Sequence, residues 1–159
     1  MKKHFIYKIL PLIVGIILFT FFGYIKLRYN QDYSTIKGFR SVFESINGFV
    51  SIVIGFYSAF YGMIISMNKA SFFVTLRKSK MKKTLPRILL YALLSAFATL
   101  ILTMSLQILV NYPNYFTDII YFVWVLVVGV FLTYALQTSV LSLAIVFFGE
   151  DEEISQKRI

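Results

Sequence analysis

The sequence predicts an all-α, polytopic membrane protein with four transmembrane helices in a single domain of residues 1–159. Four long apolar stretches are separated by short polar segments. Hydrophobic residues make up 58% of the chain and charged residues only 14%, well below the about 25% of an ordinary soluble domain. The basic residues are also spread unevenly, which gives the chain an orientation in the membrane.

Each apolar stretch is long enough to cross a hydrocarbon core of about 30 Å, which takes about 20 helical residues. The predicted spans are 5–25, 48–67, 88–110 and 119–148. The first has an apolar core longer than the about 7–15 residues of a signal peptide, and no A-x-A-like site follows it, so we expect an uncleaved helix. The fourth is about 45 Å long as a helix and should tilt or emerge from the bilayer.

The segment between the first two spans has its own helical periodicity. In residues 34–46, STIKGFRSVFESI, the apolar side chains recur at helical spacing and polar ones fill the other side. This pattern predicts an amphipathic helix at the outer interface, with a bend into the second span at Asn47-Gly48. Such a helix either covers the outer end of the bundle or acts as a lid or sensor of the outer leaflet.

The basic residues determine the orientation. With both termini inside, twelve of the sixteen lysines and arginines lie on the cytoplasmic side and four lie outside. The positive-inside rule therefore predicts a multi-pass cell-membrane protein with cytoplasmic termini, a cytoplasmic basic loop at 68–87 and a cytoplasmic acidic tail at 149–159.

The basic loop and the acidic tail are candidate interaction segments. Topology and anionic lipid account for the loop, and docking of a cytoplasmic protein is the alternative. No recognition fold accompanies it, so no direct contact with nucleic acid is expected. The four acids Glu150–Glu153 either reach the basic loop or form a solvated end. The candidate lipid- or partner-binding residues are Arg77, Lys78, Lys80, Lys82, Lys83 and Arg87.

Small residues form two ridges along the second span, and small residues allow transmembrane helices to approach closely. The pattern predicts that this span lies at the centre of the bundle. The ridges consist of Ser51, Gly55 and Ala59, and of Ser58, Gly62 and Ser66.

Three neutral polar residues, Gln107, Thr133 and Gln137, lie within the third and fourth spans. They either form hydrogen bonds between helices or line the wet wall of a pore.

The residue types needed for catalysis are sparse. His4 is the only histidine and there is no cysteine, which leaves no basis for a metal cluster or a nucleophilic triad. The acids of the tail are adjacent in sequence, which is poor geometry for paired-acid catalysis. We therefore expect a non-enzymatic protein without a cofactor.

The stretches GFVSIVIGFYSAFYGMIISMN, at 48–68, and SFFVTLRKSKMKKTLPRILLY, at 71–91, resemble small bacterial four-helix membrane proteins of phage-defence operons, such as the membrane subunit of the Kiwa system. The resemblance implies a homo-oligomeric membrane sensor or scaffold that responds to infection and couples to a cytoplasmic effector. Two other classes fit the sequence: a bacteriocin-type immunity or transporter accessory protein, and a small holin-like or depolarising pore.

Overall fold

The computed structural model describes the backbone of residues 2–29, 36–66 and 84–156, and the side chains of residues 9–28, 36–62 and 87–143. The described residues form four helices and no strand. All four helices are long and apolar enough to cross a membrane, which confirms the predicted all-α, four-span fold class. The helices are α1 (Lys2–Tyr29), α2 (Phe39–Ser66), α3 (Thr84–Leu109) and α4 (Tyr115–Gln156).

Helix α2 begins earlier than the predicted second span, because the amphipathic segment forms its first two turns. The predicted separate interfacial helix and the bend at Asn47-Gly48 are therefore wrong, since α2 continues unbroken through both residues. The physical reason is the packing of Phe39 and Phe43, whose rings lie 6.3 and 5.4 Å from the ring of Trp124 on α4. Phe39, Phe43 and Ile46 of the segment are thus packed in the bundle, whereas Ile36 and Val42 are exposed.

Helix α4 is the central helix of the bundle, and both α1 and α3 pack against it. The prediction that the second span is central is wrong for the single chain, since α2 packs mainly on α3. A close approach joins α1 to α4: a Cβ atom built on Gly129 would lie 2.8 Å from the Cα atom of Gly15. These two glycines bring α1 against α4.

The buried side chains of α3 recur every three or four residues and those of α2 every seven, as in a coiled-coil seam. On α2, Phe43, Val50 and Tyr57 are almost completely buried. The seam of α3 carries small and β-branched residues between larger ones, and it consists of Leu89, Ala92, Ala96, Thr99, Thr103, Leu106 and Val110. The opposite faces of both helices are exposed.

We use the name link end for the end of the bundle that contains the short link between α3 and α4. Lys26 Nζ of α1 lies 2.7 Å from Asp118 Oδ1 of α4. Arg40 of α2 donates a hydrogen bond to the side-chain oxygen of Asn111, after the end of α3. Asn114 caps α4, because its Oδ1 atom accepts a hydrogen bond from the backbone N–H of Thr117, at 2.9 Å. Side-chain contacts thereby fasten α1 to α4 and α2 to the end of α3 at the link end.

Candidate interaction surface

The small residues predicted to pack in the bundle centre lie on the exposed side of α2. Ser51, Gly55, Ser58, Ala59 and Gly62 are all exposed. A Cβ atom built on Gly55 or Gly62 would meet no atom within 4 Å. None of these positions is therefore a contact between helices of the single chain. The side chain of Ser66 lies outside the described residues.

We define the small-residue row as Gly48, Ser51, Gly55, Ala59 and Gly62. Successive members are three or four positions apart, so they lie on one helical face, opposite the buried seam. The row extends over about 21 Å of helix, at about 1.5 Å per residue. It therefore covers most of the about 30 Å depth of a hydrocarbon core.

The exposed face of α3 has a different composition from the small-residue row. It carries large apolar side chains at the same three- and four-residue spacing, namely Leu90, Leu94, Phe97, Ile101, Met104 and Ile108. Large side chains of this kind interdigitate with acyl chains, whereas glycine, alanine and serine let the backbone of another helix approach closely. The chain thus has one face typical of lipid contact and one face typical of helix contact.

Ser58, beside the row, donates a hydrogen bond to the carbonyl oxygen of Ile54 in its own helix, at 2.9 Å. This hydroxyl is therefore satisfied in a membrane without any partner. A partner helix would therefore contact this face of α2 mainly through close backbone packing on a flat surface, and less through hydrogen bonds.

Polar side chains inside the chain join neighbouring helices at three levels. The first is a hydrogen bond of 3.3 Å from Asn47 Nδ2 on α2 to Gln107 Oε1 on α3. In the second, the indole nitrogen of Trp124 donates to Thr103 Oγ1, at 2.8 Å. The third, between the hydroxyl groups of Tyr57 and Thr138, is 2.7 Å long and joins α2 to α4. Such bonds between helices contribute about 0.6–2 kcal/mol each in membranes.

The structure places the three predicted polar residues in different surroundings. Gln107 is half-buried and bonds across to α2, as expected for an interhelical hydrogen bond. Thr133 is buried and donates to the carbonyl oxygen of Gly129 in its own helix, at 2.9 Å. Gln137 is half-buried on α4, one turn after Thr133. Gln107 thus lies between α2 and α3. Thr133 lies one turn after Gly129, which faces α1, and so belongs to a separate interface.

Most of the predicted lipid- or partner-binding residues lie outside the described part of the chain. These are Arg77, Lys78, Lys80, Lys82 and Lys83; Arg87, near the start of α3, is exposed. The backbone of residues 150–153 continues α4 as helix. The sequence-based interpretation of both segments stays a prediction.

Within residues 9–28, 36–62 and 87–143, no group of three histidine, cysteine, aspartate or glutamate side chains could hold a metal ion. Lys26 and Asp118 are engaged with each other at the link end. The polar groups described inside the bundle are uncharged amides, hydroxyls and an indole. The arrangement is therefore one of helix packing, and the expectation of a non-enzymatic protein stays a prediction.

We predict that Tyr57→Phe lowers the free energy of unfolding by about 1 kcal/mol, because it removes the hydroxyl that bonds α2 to Thr138 of α4. Ser58→Ala is the matched control, since the lost hydroxyl bonds only within its own helix. Unfolding of both variants in detergent micelles provides the measurement. Equal stability of the two variants would show that the Tyr57 hydroxyl does not hold α2 in place.

Comparison of the chain with protein-family models, with curated proteins and with solved structures found no match. The resemblance to the Kiwa membrane subunit therefore stays a prediction from the sequence.

Proposed function

We propose that the chain is a non-enzymatic cell-membrane protein that assembles into a homo-oligomer and acts as a sensor or scaffold for a cytoplasmic partner. The observation that carries the proposal is the exposure of the small-residue row along α2. A row of this kind is suited to another transmembrane helix, and the chain itself leaves it uncovered.

The helix that packs on the small-residue row can come from a second copy of the chain, which requires no other protein. Every copy crosses the membrane in the same orientation, so the rows of neighbouring copies can meet about an axis normal to the membrane. Ser51, Gly55 and Ala59 are spaced by four residues, the spacing at which small residues allow close parallel crossing of helices. The proposed contact is therefore α2 against α2.

The opposite end from the link end is the proposed side for the cytoplasmic partner. Helix α4 has 42 residues, or about 63 Å at about 1.5 Å per residue, and a hydrocarbon core takes only about 30 Å. The end of α4 therefore emerges from the bilayer with the acidic sequence at 150–153. The acidic sequence and the basic loop 68–87 offer a partner both signs of charge, and an oligomer multiplies both.

The resemblance to membrane subunits of phage-defence operons supplies the biological setting of this proposal: a membrane component that responds to infection and recruits or restrains a cytoplasmic effector. An immunity or transporter accessory protein would use the same row of α2 against a different membrane protein. The identity of the partner on the row thus separates the two functions.

Native mass spectrometry of the gently extracted protein, with lipids and partners retained, tests the proposal. A homo-oligomer is expected, together with a soluble partner when the protein comes from its natural membrane. A complex between one copy and a different membrane protein would replace the proposal by the accessory function. A monomer without any partner would contradict both functions.

A further inference from the structure

A cavity of about 280 Å³ opens at the link end, between the start of α2 and the end of α3. It lies at the same end of the bundle as the Lys26–Asp118 ion pair, and so at the level of lipid headgroups. The small-residue row takes no part in it. The lining consists of Ile36, Gly38, Phe39, Arg40, Ser41 and Val110.

The cavity wall combines apolar and hydrogen-bonding groups. Ile36, Phe39 and Val110 supply the apolar part, and Arg40 and Ser41 supply a guanidinium and a hydroxyl. A cavity with this mixture matches the region of a phospholipid in which the phosphate meets the glycerol and the first methylene groups.

Arg40 is held in place by its partner. Its hydrogen bond to the side-chain oxygen of Asn111 occupies one of the five N–H groups of the guanidinium. The remaining N–H groups belong to a side chain that is exposed and lines the cavity. Because one partner already orients Arg40, less conformational freedom is lost when the guanidinium binds a phosphate.

The charges near the cavity favour an anion. Lys37 is exposed and lies three positions before Arg40, while Glu44 lies one helical turn after it. The other described carboxylate at this end, that of Asp118, is paired with Lys26. Among these exposed groups, the two cations Lys37 and Arg40 outnumber the one carboxylate of Glu44. The net charge near the mouth of the cavity is therefore positive.

We propose that this cavity binds the headgroup of an anionic phospholipid, with the phosphate on Arg40 and Ser41 and the glycerol region against Ile36 and Phe39. Planar guanidinium groups bind phosphate oxygens through paired hydrogen bonds. The site lies on α2 and the end of α3, away from the basic loop that the sequence assigns to lipid on the other side of the membrane. It fastens the link end to its leaflet.

The test is titration of the detergent-purified protein with phosphatidylglycerol, with bound lipid counted by native mass spectrometry. Arg40→Gln is expected to weaken retention about tenfold, the effect of losing one charge-assisted hydrogen bond, and Asn111→Ala to weaken it less. Arg28→Gln is the matched control, because Arg28 is an exposed arginine in the last turn of α1, at the same end. The basic loop is identical in all variants and cancels in the comparison.

Three further measurements show whether the ligand is a whole lipid or a free phosphate, and whether the Arg40→Gln variant is folded. Phosphatidylcholine is expected to bind more weakly than phosphatidylglycerol, and glycerol 3-phosphate not to compete, because the apolar wall needs the lipid body. Unchanged fluorescence of Trp124, the only tryptophan, is expected in Arg40→Gln and reports an intact core. Equal retention in Arg40→Gln and wild type, equal loss in Arg28→Gln, or competition by glycerol 3-phosphate would overturn the proposal.

Discussion

Gly129→Ile is expected to detach α1 from α4 and to lower the free energy of unfolding by about 3 kcal/mol, at the upper end for overpacked contacts. A Cβ atom on residue 129 would lie 2.8 Å from Gly15 Cα and 3.0 Å from Leu18 Cδ1. The first of these atoms belongs to the backbone, which cannot rotate away as a side chain can. The helices must therefore separate to admit any side chain.

Thermal unfolding in detergent micelles measures this effect, with Gly23→Ala as the control on α1. A Cβ atom on Gly23 would lie 3.8 Å from the ring of Phe122, an ordinary van der Waals distance. We expect the control to be at least as stable as the wild type, because alanine is a better helix former than glycine. An unfolding transition of Gly129→Ile at the wild-type temperature would show that the Gly15–Gly129 contact does not set the distance between α1 and α4.

Gly55→Ile is expected to abolish assembly while leaving the single chain folded. A Cβ atom built on Gly55 would meet no atom of the described residues within 4 Å, and isoleucine is a better helix former than glycine by about 0.5 kcal/mol. The monomer should therefore be at least as stable as the wild type. In the proposed oligomer, however, the branched side chain would hold neighbouring α2 helices apart, with at least a tenfold loss of association.

The matched control for this variant is Thr20→Ile on α1, where an exposed residue also becomes isoleucine. The hydroxyl of Thr20 bonds only to carbonyl oxygens of its own helix, so its loss should affect neither folding nor assembly. Size-exclusion chromatography with light scattering compares the variants. An intact Gly55→Ile oligomer would show that the small-residue row is not in the interface between copies. A misfolded Gly55→Ile monomer would show that the row is needed for the fold of the single chain.

These two glycine substitutions also show what the sequence could and could not predict. The four spans follow directly from hydropathy, because lipid allows only apolar helices of a fixed minimum length. The faces of the helices are harder to assign. Helix α2 carries two regular rows, one of large residues around Phe43, Val50 and Tyr57 and one of small residues, and either spacing is typical of a helix interface.

The choice between those rows depends on residues far away in the sequence. Phe43 packs against Trp124 on α4, and the hydroxyl of Tyr57 is hydrogen-bonded to Thr138. Because of these contacts the row of large residues is buried and the row of small residues is exposed. The same distant contacts make residues 39–46 of the amphipathic segment the first two turns of α2. A periodic pattern shows that a face is suited to packing, but it does not show what packs there.

The close contact between α1 and α4 comes from two glycines that are not part of the ridges on α2. Gly15 and Gly129 lie in different helices, more than a hundred residues apart, and their pairing depends on the crossing point of α1 and α4. No local signal fixes that crossing point. The cavity beside Arg40 could not be predicted either, because it forms only when the end of α3 reaches the start of α2.

The most direct test of the proposed assembly is oxidative cross-linking of Ser51→Cys in native membranes. The natural chain contains no cysteine, so every disulfide-linked dimer must join the introduced residues. Leu94→Cys on the exposed face of α3 is the comparison. Rapid dimer formation at residue 51, with little at residue 94, is the result expected from α2 against α2. Equal cross-linking at both positions, or none at residue 51, would contradict the proposed assembly.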